Sequence, residues 1–233
     1  MSETKVEYKI WSYNPSLAGG VIACVSFFAL TGIHAFRLFR NRTWFCLPFV
    51  IGGLFEAVGY AARAAAHNHI HTTMPSVIQS LLILIAPILF AASIYMILGR
   101  IIISTESASL TIIRPSRLTK IFVAGDIFCF LIQSGGAGIL SQAKDQASRD
   151  RGEHIILGGL ILQILFFGFF VIIAGKWHRR LKDTVTAAST KIPWQRFILL
   201  LYLASGFITI RNVCRAAEYA MGRVSSRIAN ICA

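Results

Sequence analysis

Six apolar runs, each close to the length of a membrane-crossing helix, dominate the sequence. A helix needs about 20 apolar residues to cross the hydrocarbon of a bilayer. The runs cover residues 17–39, 44–66, 77–103, 121–140, 155–175 and 194–221. No run alternates like a barrel strand, and only helices or closed barrels satisfy their backbone in lipid. The sequence therefore predicts an all-α, polytopic transmembrane helix bundle with six spans.

The composition agrees with a membrane protein. Of the 233 residues, 55% are hydrophobic and 14% are charged, with a formal net charge of +13. In a soluble protein this surplus would suggest nucleic acid, but here most of the basic residues lie in short loops, so no nucleic-acid partner is expected. We expect one compact unit, with an extracellular segment at residues 1–16, the bundle at 17–221 and a short tail at 222–233.

The basic loops predict the orientation of the chain. Thirteen Lys and Arg residues lie in or beside the loops after the first, third and fifth runs. On the other side, five lie in the N-terminal segment and the loop after the fourth run, three near the ends of the second and sixth runs and two in the tail. Loops rich in Lys and Arg stay in the cytoplasm. The N-terminus is therefore predicted to be outside.

Polar residues inside the apolar runs are candidates for a substrate path, because such groups are costly in hydrocarbon. They repeat at helical spacings, which place them on common faces: two are seven residues apart on the second run, two on the fourth, and three share one face of the sixth. The candidates are Glu56, Arg63, Asp126, Gln133, Arg211, Arg215 and Glu218. The alternative is a set of structural ion pairs, for example between Glu218 and Arg63. Gln79 and Gln163 are interpreted as interhelical hydrogen-bonding residues.

Proline and glycine residues mark further features. Pro87 lies in the middle of the third run and is a candidate kink or gating element, although such kinks are ordinary in membrane helices. Glycines near the facing ends of the fourth and fifth runs suit close helix packing: Gly135, Gly136, Gly138, Gly158 and Gly159. His67, His69 and His71 are interpreted as a solvated loop. No metal site, cofactor or catalytic constellation is predicted, so we expect no enzyme.

Ordered motifs over residues 13–222 resemble the fungal lipid-translocating exporter family, which is named for aminocholesterol resistance. Residues 56–63, Glu-Ala-Val-Gly-Tyr-Ala-Ala-Arg, look like its E-x-x-G-Y-x-x-R motif. The other matching segments are Tyr13-Asn14-Pro15-Ser16, Ala86-Pro87 with Ala91–Met96 and Gly99-Arg100, Phe122-Val123 with Asp126, Gln133, Gly135 and Gly136, Gly159-Leu160 with Gln163 and Phe169, and Leu201-Tyr202 with Arg211, Arg215, Glu218-Tyr219 and Gly222.

The resemblance implies a fungal multi-pass membrane protein with an outside N-terminus, and the host membrane is expected to be the fungal plasma membrane. Members of that family are associated with export of sphingoid long-chain bases, tolerance of toxic lipophiles and, in one branch, porphyrin traffic. The resemblance also implies that the polar candidates are the family's motif positions. The family usually has seven helices, and we expect this chain to lack the seventh.

Three functions compete on this basis. The leading hypothesis is a transporter that exports or translocates a lipophilic amphiphile, with membrane lipids and a lipophilic small molecule as its partners. The second is a membrane receptor or sensor that binds a lipophile without net transport. The third, a membrane enzyme acting on lipid, finds no acid–base constellation in the sequence. The oligomeric state is not predicted.

Overall fold

A computed structural model describes residues 17–66, 73–143, 145–184 and 193–231, and within these ranges it is helical apart from short turns. Six α-helices follow one another: α1 Leu17–Asn41, α2 Leu47–Ala66, α3 Thr73–Ser104, α4 Pro115–Gln142, α5 Gln146–Asp183 and α6 Trp194–Ile231. Each contains a stretch that is long and apolar enough to cross a membrane. The predicted all-helical, six-span architecture is confirmed. The expected N-terminal segment and the His67, His69 and His71 loop lie outside the described residues.

The helices extend beyond the apolar runs that predicted them. The helices α5 and α6 each have 38 residues, or about 57 Å at 1.5 Å per residue, against a hydrocarbon core of roughly 30 Å. The helix α6 continues to Ile231, past the predicted start of the tail at residue 222. Apolar content locates only the part of a helix that can lie in lipid. Beyond the apolar run of α5, Lys, Arg and Leu residues that favour helix continue the same element to Asp183.

The contacts divide the chain into two compact units, Met1–Ala86 and Pro87–Ala233, and the boundary falls inside α3. In the first unit, α1 and α2 run antiparallel. The ring of His34 meets the ring of Phe49 edge to face at 4.9 Å, and Phe27 stacks on Tyr60 at 5.7 Å. The α1 residue farther from the turn, Phe27, thus pairs with the α2 residue farther from it, Tyr60, as the short connection through Trp44–Cys46 requires.

Glycines bring the backbone of α2 close to its neighbours in the first unit. A methyl group added to Gly53 would collide with the hydroxyl of Thr31 in α1. One added to Gly59 would lie 2.7 Å from a side-chain carbon of Ile83 in α3. The motif that begins at Glu56 therefore contains two packing positions: Gly59 admits Ile83, and Tyr60 stacks on Phe27.

The second unit has a continuous buried core formed by α3 from Pro87 onward, α4, α5 and α6. Trp177 of α5 stabilises the connection between α3 and α4, because its indole N–H donates a hydrogen bond of 2.9 Å to the hydroxyl of Ser107. That hydroxyl lies 2.8 Å from Oγ1 of Thr105. The turn after α3 is thus held by buried side chains, which fixes where α4 begins.

The helices α4 and α5 approach each other most closely where both carry glycine. A methyl group added to Gly136 would lie 2.9 Å from the carbonyl oxygen of Gly152, and one added to Gly159 would lie 2.6 Å from Cγ of Gln133. The packing role predicted for Gly136 and Gly159 is confirmed. It is wrong for Gly135, Gly138 and Gly158, because an added methyl there has nothing within 4 Å. The pattern of small residues did not show which of them face the neighbouring helix.

Large apolar side chains remain exposed along the helices, as expected when the surrounding solvent is lipid. Ile22 and Phe28 in α1 are each 66% exposed, and Phe207 in α6 is 73% exposed. Lipid tails are as apolar as these side chains, so their exposure carries no penalty in a bilayer. Polar side chains buried inside the units are the exception that requires explanation.

Candidate functional site

The most distinctive buried polar contact joins α3 to α4 inside the second unit. The hydroxyl of Tyr95 donates a hydrogen bond of 2.8 Å to Oδ2 of Asp126. Tyr95 is 0% exposed and Asp126 is 1% exposed. The second carboxylate oxygen, Oδ1, is buried and accepts no hydrogen bond from the described residues. The structure therefore holds a carboxyl group in the protein interior with one oxygen fixed and one oxygen available.

Aromatic rings surround the Tyr95 end of this contact. The ring of Tyr95 lies 4.5 Å from that of Phe170, 5.4 Å from that of Phe122 and 6.2 Å from that of Phe167, measured between centroids. Phe122 is one helical turn before Asp126, on the same buried face of α4. We call Tyr95, Phe122, Phe167 and Phe170 the aromatic cluster. A carboxylate beside electron-rich ring faces is a suitable environment for an organic cation.

Two helical turns after Asp126, a second polar pair joins α4 to α5. Nε2 of Gln133 donates a hydrogen bond of 2.9 Å to Oε1 of Gln163, and both residues are buried. This contact confirms that Gln163 is an interhelical hydrogen-bonding residue. Oε1 of Gln133 is buried and has no hydrogen-bond partner among the described residues. Asp126 and Gln133 thus lie on one buried face of α4, as their spacing predicted.

The polar candidates of α2 belong to the first unit. Glu56 is buried, with 2% of its surface exposed. Arg63 lies two turns later in α2, and its side chain is outside the described residues. The buried position of Glu56 agrees with the cost-based reason for selecting it. Its role in a substrate path remains a prediction.

The sixth helix presents its polar residues differently from the sequence expectation. Arg211 and Arg215 are partly buried, and Glu218 is exposed. The fully buried polar residues of the described part of α6 are Ser205 and Asn212, which are 2% and 3% exposed. Neither residue was predicted from the sequence. Their seven-residue spacing and the amide of Asn212 were signals in the sequence, as they were for Gln133, whereas a serine alone is inexpensive in an apolar helix.

Tyr95 was also missed as a site residue, although it lies in a segment that matches the family motif. A tyrosine in an apolar helix is unremarkable in sequence, because its ring is compatible with lipid and its hydroxyl can reach an interface. Only the position of α4 beside α3 shows that this hydroxyl meets a carboxylate.

Two cavities of the described structure lie away from the polar candidates. One of about 750 Å³ is lined by α1 residues around Arg37 and Arg40, and one of about 520 Å³ lies where α4 ends and α5 begins, near His154. Neither is lined by Glu56, Asp126 or Gln133. Pro87 is buried inside an uninterrupted α3. Among the described residues, no group of three or more His, Cys, Asp or Glu is placed to hold a metal ion.

Six long apolar helices with buried polar side chains define an α-helical, multi-pass membrane protein. The chain belongs to the RTA1-like family, since the family model described as "RTA1 like protein" matches residues 49–230. This match confirms the resemblance that the sequence motifs indicated.

Curated relatives support the same membership. The chain is 31% identical to Protoporphyrin uptake protein 1 of Saccharomyces cerevisiae, over 95% of this chain and 84% of that protein. It is 28% identical to a protein of Emericella nidulans named Probable lipid transporter atnI, over 91% of this chain and 58% of the relative. It is 25% identical to the Sphingoid long-chain base transporter RSB1 of Saccharomyces cerevisiae, over 68% of this chain and 42% of the relative.

The chain therefore spans about half of two of these relatives and most of the first. No solved structure is significantly similar to it.

Proposed function

We propose that this protein is a membrane transporter that exports or translocates a lipophilic amphiphile with a basic head group, such as a sphingoid long-chain base. The observation that carries the proposal is the buried carboxyl group of Asp126, which Tyr95 holds beside the aromatic cluster. A protonated amine would pair with the free Oδ1 and meet the ring faces. Two of the relatives, named as a lipid transporter and a sphingoid-base transporter, support the same substrate class.

The long apolar tail of such a substrate would remain in contact with lipid-like surfaces while its head group crosses. The exposed apolar faces of the helices provide those surfaces. The head group requires a polar partner within the hydrocarbon, because an unpaired charge there is costly. Asp126 and Glu56 are the buried carboxyl groups among the described residues. Because Asp126 is 1% exposed, substrate entry requires α3 and α4 to move apart.

The proposal includes the plasma membrane as the location, an extracellular N-terminus and no chemical change of the lipid. Basic loops on the predicted cytoplasmic side support the orientation. Gln133 and Arg211 are proposed to lie along the same route as Asp126, because both belong to the second unit and lie in the apolar part of their helices.

Export of a labelled sphingoid base from yeast cells that express the chain tests the proposal. Wild type should accelerate release, and Asp126→Asn should reduce the gain at least about tenfold, because truncating one partner of a buried charge pair costs roughly 2 kcal/mol or more. Glu56→Gln should also reduce release. Asp183→Asn is the matched control, since this carboxylate is exposed at the end of α5.

Surface expression must be equal for all variants in this experiment. Full export by Asp126→Asn would remove Asp126 from the route. Binding of the sphingoid base by wild type without any release would contradict transport and favour the receptor or sensor hypothesis.

A further inference from the structure

We propose that Asp126 binds a proton whenever no cationic substrate is present, so that the protein exchanges one substrate cation for one proton. This inference rests on the proposed function and adds the source of energy. It identifies a proton-binding site in the Oδ1 atom of Asp126 and predicts that a proton gradient drives export.

The geometry around the carboxyl group suits either a proton or a substrate cation at Oδ1, and it provides no permanent cationic partner. Oδ2 is occupied by the hydroxyl of Tyr95, whereas Oδ1 is buried without a donor from the described residues. A permanent structural ion pair would place a Lys or Arg at this oxygen, which has no hydrogen-bond partner among the described residues. Because a buried carboxylate without a counter-charge is costly, the group must hold a mobile cation or a proton.

The surrounding groups leave Asp126 as the residue that can exchange a proton. From α3 it faces the hydroxyl of Tyr95, which already donates to the carboxylate. On α4 the titratable neighbour is the thiol of Cys129, which is 0% exposed. From α5 the residues packed nearby are phenylalanines: Phe166 against Gly125 and Phe170 against Phe122. Within the described part of the chain, no basic side chain competes for the carboxylate.

Exchange follows because the same oxygen would hold either cation. When the substrate ammonium approaches from the cytoplasm, the O–H bond at Oδ1 breaks and the proton leaves to cytoplasmic water. The ammonium then pairs with the carboxylate. On the outer side the substrate departs, and a proton from external water forms the O–H bond again. One positive charge moves in each direction, so the cycle is electroneutral and consumes one inward proton for each exported cation.

Tyr95 acts here as a positioning residue. Its hydrogen bond fixes Oδ2 and leaves Oδ1, which is buried without a hydrogen-bond partner among the described residues, as the oxygen at which a cation can be exchanged. The ring remains in the aromatic cluster whether or not the hydroxyl is present. Tyr95→Phe should therefore preserve the fold and change the pH profile of exchange, a readout that a purely structural ring would leave unchanged.

The test uses the full chain in proteoliposomes with N,N,N-trimethylsphingosine as the probe, because its permanent charge prevents leakage as a neutral amine. A pH difference should accumulate the probe about tenfold per pH unit, the ratio that one-for-one electroneutral exchange gives. Clamping the membrane potential with potassium and valinomycin should leave the ratio unchanged. Asp183→Asn should behave as wild type, and Asp126→Asn should lose the accumulation.

A second measurement does not depend on transport. Adding the probe to the purified protein in weakly buffered detergent solution should release about one proton per bound probe, because one carboxyl group holds either cation. Asp126→Asn should bind the probe weakly and release none. Circular dichroism of the variant verifies that its helices are intact.

The outcomes separate this inference from the proposed function. Probe transport that does not depend on the pH difference would overturn the exchange, and so would proton release that persists in Asp126→Asn. Either result would still be compatible with transport. Failure of wild type to move either the probe or a natural sphingoid base would overturn the proposed function itself.

Discussion

The hydroxyl of Tyr95 and the carboxylate of Asp126 are joined by a 2.8 Å hydrogen bond between α3 and α4, in a region closed to solvent. This bond places a charged or titratable group at a defined point of the protein interior. It also links the helix that contains Pro87 to the helix that carries Gln133. The contact is therefore the natural starting point for testing both stability and transport.

The Tyr95 and Asp126 side chains should be energetically coupled. In a double-mutant cycle of Tyr95→Phe and Asp126→Asn, we expect a coupling energy of about 1 kcal/mol in the free energy of unfolding, typical of interhelical hydrogen bonds in membrane proteins. Thermal unfolding in detergent measures it. Tyr60→Phe is the control, because Tyr60 stacks on Phe27 in the first unit and should be additive with Asp126→Asn. Additivity of the first pair would contradict the assigned bond.

The amide pair between α4 and α5 should contribute to stability in a similar way. Gln133→Leu removes the donor and leaves the buried Oε1 of Gln163 without its partner, so the free energy of unfolding should fall by about 1–2 kcal/mol. The double variant with Gln163→Leu should recover part of this loss, since no polar atom of the pair then remains buried alone. If the double variant lost more free energy of unfolding than the two single variants lose together, the result would argue against the pair.

Glycine at position 136 should be required for packing, whereas its neighbour should not. Gly136→Ala would place a methyl group 2.9 Å from the carbonyl oxygen of Gly152 and from Ile156, so the helices must separate. We expect destabilisation of about 1–3 kcal/mol, measured by detergent unfolding. Gly135→Ala is the matched control, with nothing within 4 Å. It should be neutral or stabilising by up to about 1 kcal/mol through helix propensity.

The predicted orientation can be tested by labelling single cysteines in a cysteine-free variant. Gln146→Cys at the start of α5 should react with an impermeant maleimide in intact cells. Ser116→Cys near the start of α4 should react only after permeabilisation. Both positions are exposed, so accessibility depends on the side of the membrane. The reverse pattern would place the N-terminus inside and reverse the side from which Asp126 loads its substrate.

The sequence predicted the helices better than their ends. The six apolar runs each became a helix, because the cost of unpaired backbone groups in lipid acts on every residue of a run. The fifth run, residues 155–175, became a helix from Gln146 to Asp183, since helix formation does not stop where hydrophobicity does. The expected tail at 222–233 likewise begins inside α6.

From the sequence, only those candidate-site residues were predicted whose side chains are costly to bury in hydrocarbon. Asp126, Glu56 and Gln133 were identified because burial of a carboxyl or amide group in hydrocarbon is conspicuous, and all three are buried in the structure. Their positions agree with the cost argument, while their part in transport stays a prediction. Tyr95 and Ser205 could not be distinguished from ordinary helix residues, whereas the amide of Asn212 offered the same signal as that of Gln133 and was missed.

By itself, the sequence determined the class of protein, the number of described helices and the family. These depend on properties that a segment has alone: apolar length, charge of the loops and spacing along one helix. The tertiary structure decided that Asp126 meets Tyr95, that Gln133 meets Gln163, and that Gly136 packs while Gly135 does not. These contacts depend on the rotation and depth at which one helix lies against another, which the side chains of both helices set together.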